Sequence, residues 1–310
     1  MITRRSFASL SLAATAAAGL GLPGGPAFAA RQPEERLVTT YTVKKGDTFH
    51  EIAKAKGLGY LELRAANPDV EPWMPTPGSE LIIPSIHIAP RAIDKGILLS
   101  LGGMRLFHFR GNGQVESYAV GIGAEGLETP LGTTSVVAKR KDPTWTPTAN
   151  IRKRKPYLPA SIGPGPDNPL GNRAMYLGWP AYLIHGTNLP DGIGRRASSG
   201  CIRMYPWDVE AIFEKVDVGT KVVSVDNRYS VAFDGGRLWL EVHPTLAGWN
   251  LLEDREELPP SILTQDIINA IVAAAPEDVT VDWETAERVV REQRGYPVAI
   301  GHGAMTTASR

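Results

Sequence analysis

Between Tyr41 and Pro84 the pattern of apolar and polar positions changes period twice. Tyr41-Thr42-Val43 alternates as a strand does. Lys45-Gly46-Asp47-Thr48 turns the chain and offers Asp47 or Thr48 as a helix N-cap. Phe49, Ile52, Ala53 and Ala55 then recur at helical spacing, and Gly57 supplies the stop. Leu61 to Ala66 predicts a second helix, ended at Asn67-Pro68 because a residue before proline leaves the helical region. Leu81-Ile82-Ile83-Pro84 returns to strand. Residues 40–85 therefore form a small strand–helix–helix–strand unit.

Beyond His87 to Arg91, which reads as a linker, the pattern becomes β. Ile97 to Leu101 and Met104 to Phe109 flank Gly102-Gly103 as a hairpin. Ser117 to Ile122, Thr133 to Lys139, Tyr182 to His185 and Lys221 to Val225 predict further strands, with one helix from Pro206 to Glu214 that has Asp208 in its first turn. Residues 91–227 thus predict a mainly β domain, sandwich or barrel-like. Within it, Lys141 to Arg173 reads as one long irregular stretch. It holds seven prolines, from Pro143 to Pro169, and the basic run Arg152-Lys153-Arg154-Lys155. A stretch of that kind is a solvated loop or a functional lid. Residues 228–310 predict a β-hairpin, with a strand at Leu238 to Val242, and a helical extension. Ile262, Ile267, Ile268, Ile271 and Val272 mark one helix, and Val281 to Gln293 marks another. These helices are expected to dock on the β domain, with His302 as an exposed tail residue.

The N-terminus changes the compartment. Thr3-Arg4-Arg5-Ser6-Phe7, an Ala- and Leu-rich stretch from Ala8 to Leu22 and Ala27-Phe28-Ala29 follow the grammar of an export signal spanning residues 1–29. The paired arginines resemble a twin-arginine signal, which points to the periplasm. No later apolar run is long enough to cross a bilayer. The chain has 33 basic and 33 acidic residues, and the signal removes only Arg4 and Arg5. That balance argues against nucleic acid as a partner. One cysteine excludes an intramolecular disulfide, and a lone thiol in an oxidising compartment is exposed to oxidation.

That cysteine, Cys201, lies in Ser198-Ser199-Gly200-Cys201-Ile202-Arg203, sixteen positions after His185-Gly186-Thr187. The six histidines are scattered and have no second cysteine, so neither a metal nor another cofactor is expected. A thiol nucleophile needs a base, and His185 at a strand end can hold its ring firmly. Gly200 and Cys201 offer successive backbone N–H groups for an oxyanion, unless Gly200 only marks a turn. Arg203 and Arg196 would favour a thiolate or bind a carboxylate, unless Arg203 merely pairs with an acid such as Asp208.

His185-Gly186-Thr187 with Ser198-Ser199-Gly200-Cys201-Ile202-Arg203-Met204 is similar to the signature of the L,D-transpeptidase catalytic domain. Glu128-Thr129-Pro130-Leu131-Gly132-Thr133, Asp142 to Pro147 and Gly165 to Gly171 extend the likeness. Tyr41 to Pro84 resembles a LysM module, and the combination resembles a periplasmic proteobacterial branch of the family. The resemblance implies a peptidoglycan enzyme. Cys201 would be the nucleophile and His185 the base, with Gly200 and Gly186 in the catalytic set and Arg203, Arg196, Ser199, Tyr176 and Asn168 as substrate contacts. It implies attack on meso-diaminopimelate–D-Ala stems and transfer to a diaminopimelate amine or a lipoprotein lysine. Carboxypeptidase or hydrolase action on the same linkages is the alternative, and a monomer is expected. Ser199 stands where the family has a second histidine, which leaves the base at His185 intact.

Overall fold

The computed structural model describes residues 38–303. The export signal read at residues 1–29 lies outside them. Strand β1 (Thr39–Thr42) pairs antiparallel with β2 (Glu80–Ile83), and α1 (Phe49–Lys56) and α2 (Tyr60–Ala66) lie between them in the chain. Thr48 is the N-cap of α1: its hydroxyl oxygen accepts from the Glu51 N–H at 3.2 Å. Gly57 ends the helix at φ 63°. Phe49, Ile52 and Ala53 are buried, but Ala55 is exposed, contrary to the sequence reading. Two residues past Ala53 is about 200° of helical rotation, which points Ala55 at solvent.

The middle unit comprises β3 (Lys95–Ser100), β4 (Arg105–Arg110), β5 (Val115–Gly123), β6 (Gly132–Lys141), α3 (Ala149–Arg154), β7 (Arg173–Leu177), β8 (Leu183–His185), β9 (Arg196–Ser198), β10 (Ile202–Met204), α4 (Pro206–Phe213) and β11 (Lys221–Val225). The strands run β10-β8-β7-β6-β11-β3-β4-β5, and β10 also pairs with β5. The sheet therefore closes on itself as an eight-stranded ring, with β9 added beside β5. Closure leaves the ring no free edge. Leu99, Val120, Val136, Met175, Ile202 and Val222 fill its core. The stretch read as wholly irregular is partly ordered: it holds α3, and Trp145 and Ile162 form a β-bridge.

The C-terminal unit holds β12 (Tyr229–Asp234), β13 (Arg237–Val242), α5 (Leu246–Glu253), α6 (Gln265–Ala274), β14 (Thr280–Val281), α7 (Trp283–Glu292) and β15 (Val298–His302). Here the sequence reading is corrected. The hairpin grows into a four-stranded sheet, ordered β12-β13-β15-β14. The helices α6 and α7 pack on that sheet rather than on the ring, around Leu238, Leu240, Ile267, Ile271, Val289 and Ile300. Ile262 and Val272 are exposed: Ile262 precedes α6, and the stripe of α6 that meets the sheet runs through Ile267 and Ile271. His302 is exposed but belongs to β15, opposite Arg237.

Three contacts join the units. Helix α2 is buried at all seven positions, because α5 and the ring together cover the side that its own unit leaves open. Gly59 and Gly194 meet so closely that a Cβ on Gly59 would stand 2.7 Å from the Gly194 Cα, and the Tyr60 N–H donates to the Ile193 carbonyl. Trp249 of α5 is buried and donates from Nε1 to the Gly102 carbonyl at 2.8 Å.

The third contact overturns the linker expected at His87 to Arg91. His87, Ile88 and Ala89 are buried. His87 Nε2 lies 2.6 Å from Glu62 Oε1, and Nδ1 lies 2.7 Å from Glu241 Oε1. A ring with a carboxylate on each nitrogen is an imidazolium, since only that form donates twice. Arg105 reaches Glu62 at 2.8 Å, His243 reaches Glu241 at 3.0 Å, and the Ile88 N–H donates to Glu241 Oε2 at 2.6 Å. Burial pushes the Glu62 carboxyl up, but Arg105 and His87 outweigh it and hold the pKa at about 2. Burial likewise opposes the charge on His87, and the two glutamates outweigh burial and Arg105, raising it above the usual imidazole value.

Removing one member of this cluster strands the others as buried charge. Glu62→Gln is expected to cost about 3–5 kcal/mol in urea unfolding near pH 6. Glu62 has a depressed pKa in the folded state. Its contribution is therefore complete above pH 4.5 and lost as pH falls toward about 2. The gap between wild type and variant should shrink over that window. A gap that is constant from pH 6 to pH 3 would contradict the pairing.

Candidate active site

The site lies at the seam where the ring closes. Strands β8 and β10 run parallel, with Ile202 opposite Ile184 and Arg203 opposite His185. Cys201 directly precedes β10, at the level of Leu183, whose backbone N–H bonds the sulfur. On the next strand Tyr176 stands opposite Leu183, and Ala174 opposite His185. Side chains two apart on a strand share a face. Tyr176, Leu183 and Cys201 therefore form one row, and Ala174, His185 and Arg203 form the next on the same side. The register brings together the cysteine, the histidine, an arginine and a tyrosine from three strands.

The His185 ring is buried, and Nδ1 donates to the Gly186 carbonyl at 2.6 Å. That bond fixes the tautomer and leaves Nε2 as the basic nitrogen. Burial first, then the Arg203 charge, lower its pKa to about 4, so the ring is neutral at pH 7. Burial also raises the Cys201 pKa, and it outweighs the Leu183 N–H and Arg203, which pull the other way. The resting pair is thus imidazole and thiol, not an ion pair. Arg203 does favour the thiolate, as the sequence suggests, but less than burial opposes it. Burial lowers the pKa of Arg203 itself, the mark of a cation short of solvent.

The turn that carries Cys201 is held from three sides. Gly200 adopts φ 104°, and a Cβ there would come within 2.6 Å of the Tyr182 ring. The Thr129 hydroxyl donates to the Gly200 carbonyl at 2.8 Å. The Ser198 hydroxyl donates to the Cys201 carbonyl at 2.6 Å and accepts from the Gly200 N–H at 3.0 Å. Of the two amides expected to face an oxyanion, that of Gly200 is already committed to Ser198, which leaves the Cys201 amide as the remaining candidate. The thiol donates to the carbonyl of Ala181 at 3.5 Å. Ala181 sits at φ 69°, a left-handed conformation that costs an alanine free energy.

The other expected residues divide. Gly186 lies behind the base, where a Cβ would meet Val209 and the Leu170 carbonyl at 3.2 and 3.3 Å. Ser199 is exposed and accepts from Arg154 of α3 at 3.0 Å, tying the basic stretch to the nucleophile turn. Arg196 sends Nη1 to the Leu246 carbonyl and to Asn250 of α5. Asn168 spends its side-chain amide inside its own loop. It is fully buried, donates to the carbonyls of Pro143 and Gly163 at 2.6 and 3.0 Å, and accepts from the Leu170 N–H. Thr129, Ser198, Ala181 and Arg154 escaped sequence reasoning as site residues. Thr129 and Ser198 lie in quoted motifs, but only the closed sheet shows what their hydroxyls hold.

Among the described residues, the donor atoms of His87, Glu241 and His243 lie within 4.8 Å of one another and could hold a metal. The histidines are thus less scattered in space than in sequence. Here the His87 ring is saturated by two carboxylates, and Arg105 already supplies a second positive charge. A divalent ion would leave the cluster with excess positive charge.

Residues 94–223 match the family model described as the L,D-transpeptidase catalytic domain, and residues 41–84 match that of the LysM domain. The chain is 37% identical over 275 residues to the probable L,D-transpeptidase ErfK/SrfK of Escherichia coli, covering 86% of each protein. It is 38% identical over 266 residues to the probable L,D-transpeptidase YcfS of the same organism, covering 82% of this chain and 81% of that one.

A neutral pair has a kinetic signature. Alkylation of Cys201 by iodoacetamide should be slower at pH 7 than that of a free thiol, and should rise with pH beyond the ordinary cysteine range. A fast plateau between pH 5 and 8 would instead reveal a preformed thiolate–imidazolium pair.

Proposed function

The chain belongs to the L,D-transpeptidase family and joins its catalytic domain to a LysM module, and we propose that Cys201 is the nucleophile of a peptidoglycan acyl transfer with His185 as its base. The sulfur attacks the carbonyl of meso-diaminopimelate in a tetrapeptide stem, at its bond to the terminal D-Ala. His185 Nε2 takes the thiol proton during attack and returns it to the leaving amine. The Cys201 amide faces the oxyanion, and Arg203 binds a stem carboxylate, with Tyr176 along the same face. D-Ala leaves and a thioester remains.

An amine then resolves the thioester. A diaminopimelate side chain gives a 3→3 crosslink, and a lysine of an outer-membrane lipoprotein gives an anchored protein. Resolution by water would make the enzyme a carboxypeptidase. The basic stretch, fastened at Ser199 through Arg154, serves as the lid that limits water. The reading extends to the whole chain: an export signal over residues 1–29, a glycan-binding LysM module over 40–85, a catalytic domain over 91–227 and an extension over 228–310. The protein works as a monomer in the periplasm, exported by the twin-arginine route, with the LysM module on N-acetylglucosamine-containing strands.

The observation that carries the proposal is the locked His185 tautomer on a strand whose parallel partner, β10, begins directly after Cys201. Exposure to a carbapenem, whose strained ring acylates such a thiol, should add one drug mass to the wild type and none to Cys201→Ala. His185→Ala should slow that acylation by about 10²–10⁴-fold. An unmodified wild type would remove the nucleophile assignment. With purified tetrapeptide as substrate, dimer and free D-Ala should appear together; tripeptide alone would favour hydrolysis.

A further inference from the structure

The chain balances 33 basic against 33 acidic residues, yet one segment beside Cys201 does not share that balance. Between Asp142 and Asp167 stand four consecutive cations, Arg152 to Lys155, and no acid. Three of them lie in α3 and Lys155 is its C-cap. The segment is closed at its base, where Trp145 and Ile162 each donate a backbone N–H to the other's carbonyl at 2.8 Å. All four side chains are exposed. Cations suit a helix C-terminus, but the effect is confined to the last turn and is small at an exposed position. It does not account for four like charges that repel one another with no acid in the same loop.

The two arginines are already engaged. Arg152 donates from Nε to the Pro147 carbonyl at 3.2 Å and from Nη2 to the Ala160 carbonyl at 2.7 Å, which holds α3 inside its loop. Arg154 donates to the Ser199 hydroxyl at 3.0 Å, which holds α3 against the turn that carries Cys201. The lysines are not engaged. Among the described residues, no hydrogen bond or ion pair holds the ammonium of Lys153 or Lys155. They flank Arg154 in the chain, so two free ammoniums on flexible arms stand where α3 meets the turn. Ser199 is two residues from Cys201, at most about 7 Å along the backbone. The arrangement suits an anionic group carried a short way along the substrate from the attacked carbonyl.

We propose that Lys153 and Lys155 read the free α-carboxylate of the γ-linked D-glutamate in the donor stem. This inference rests on the transfer reading above and adds a specificity determinant to it. The D-glutamate precedes the attacked diaminopimelate and is joined to it through its γ-carbonyl, which leaves the α-carboxylate unbonded. Seven bonds separate that carboxylate from the attacked carbonyl, roughly 8 Å in an extended chain. Arg203, half-buried on the strand beside His185, is left for the carboxylate of diaminopimelate itself. A stem whose D-glutamate carries a carboxamide presents no charge to the lysines. Because both ammoniums are exposed, the discrimination is modest and screened by salt.

The test uses the whole exported enzyme and three synthetic tetrapeptide stems. One has both carboxyls free, one is amidated at D-glutamate, and one is amidated at the side-chain carboxyl of diaminopimelate. Release of D-Ala gives kcat/KM for each. In low salt, wild type should prefer the free stem to the D-glutamate-amidated stem by about 3- to 10-fold, and the preference should fall toward unity at about 0.5 M NaCl. Lys153→Gln combined with Lys155→Gln should abolish that preference and leave the response to amidated diaminopimelate as it is in wild type. Alkylation of Cys201 by iodoacetamide, a neutral reagent, should keep its wild-type rate in the double variant. Equal use of the free and D-glutamate-amidated stems by wild type, or a preference that survives in the double variant, would overturn the assignment. So would a double variant that loses discrimination at diaminopimelate instead, or whose thiol reacts at a changed rate, since the lysines would then act elsewhere. Alkylation of Cys201 with no D-Ala released from any stem would remove the transfer reading, and this inference with it.

Discussion

His87 carries a carboxylate on each ring nitrogen, Glu62 from α2 on one side and Glu241 from β13 on the other. Arg105 of the closed sheet completes the cluster from a third direction. Four charges taken out of water are stable only as a set, because any one alone would cost several kcal/mol to bury. The N-terminal unit, the ring and the C-terminal sheet must therefore all be in place before the cluster is satisfied. The cluster adds little net stability over an apolar core of equal volume. It specifies one arrangement of three units instead.

That arrangement has a direct bearing on the site. Helix α5 reaches back from the C-terminal unit to hold Arg196 and the Gly102 turn, and Gly59 presses on Gly194 beside the chain that leads into β9. The nucleophile turn is thus braced by segments distant in sequence. The ring closes through β10, and Cys201 stands at the entrance to that strand, so sheet closure and the juxtaposition of Cys201 with His185 are one event. Burial at the seam also explains the neutral pair: the same desolvation that lowers the His185 pKa raises that of Cys201.

Much of this was legible in the chain. Capping at Thr48, the stop at Gly57, six of the eight ring strands and the helix after Tyr205 follow local rules of period and turn chemistry, whereas β7 and β10 are not predicted from them. His185 and Cys201 stand out from the sequence as a candidate base and nucleophile, and the fold sets them on adjacent strands. What escaped depended on tertiary partners. His87 reads as linker because no local pattern shows that two glutamates await it. Asn168 reads as a substrate contact because a motif asparagine does not say whether it faces solvent or the carbonyls of its own loop. Thr280-Val281 and Val298 to His302 are too short to be recognised until β13 pairs with β15. The commitment of the Gly200 amide to Ser198 is likewise set by the folded turn and not by any local pattern.

The backbone contact between Gly59 and Gly194 leaves no slack between the glycan-binding module and the ring. A tethered module would raise the local concentration of substrate and let the catalytic domain search every stem within reach. A module seated without slack does something else. It turns the protein into a gauge: the sugar it grips and the stem that meets Cys201 stand at one fixed offset along the same strand. Which stems come within reach then depends on their spacing along the glycan as well as on their chemistry.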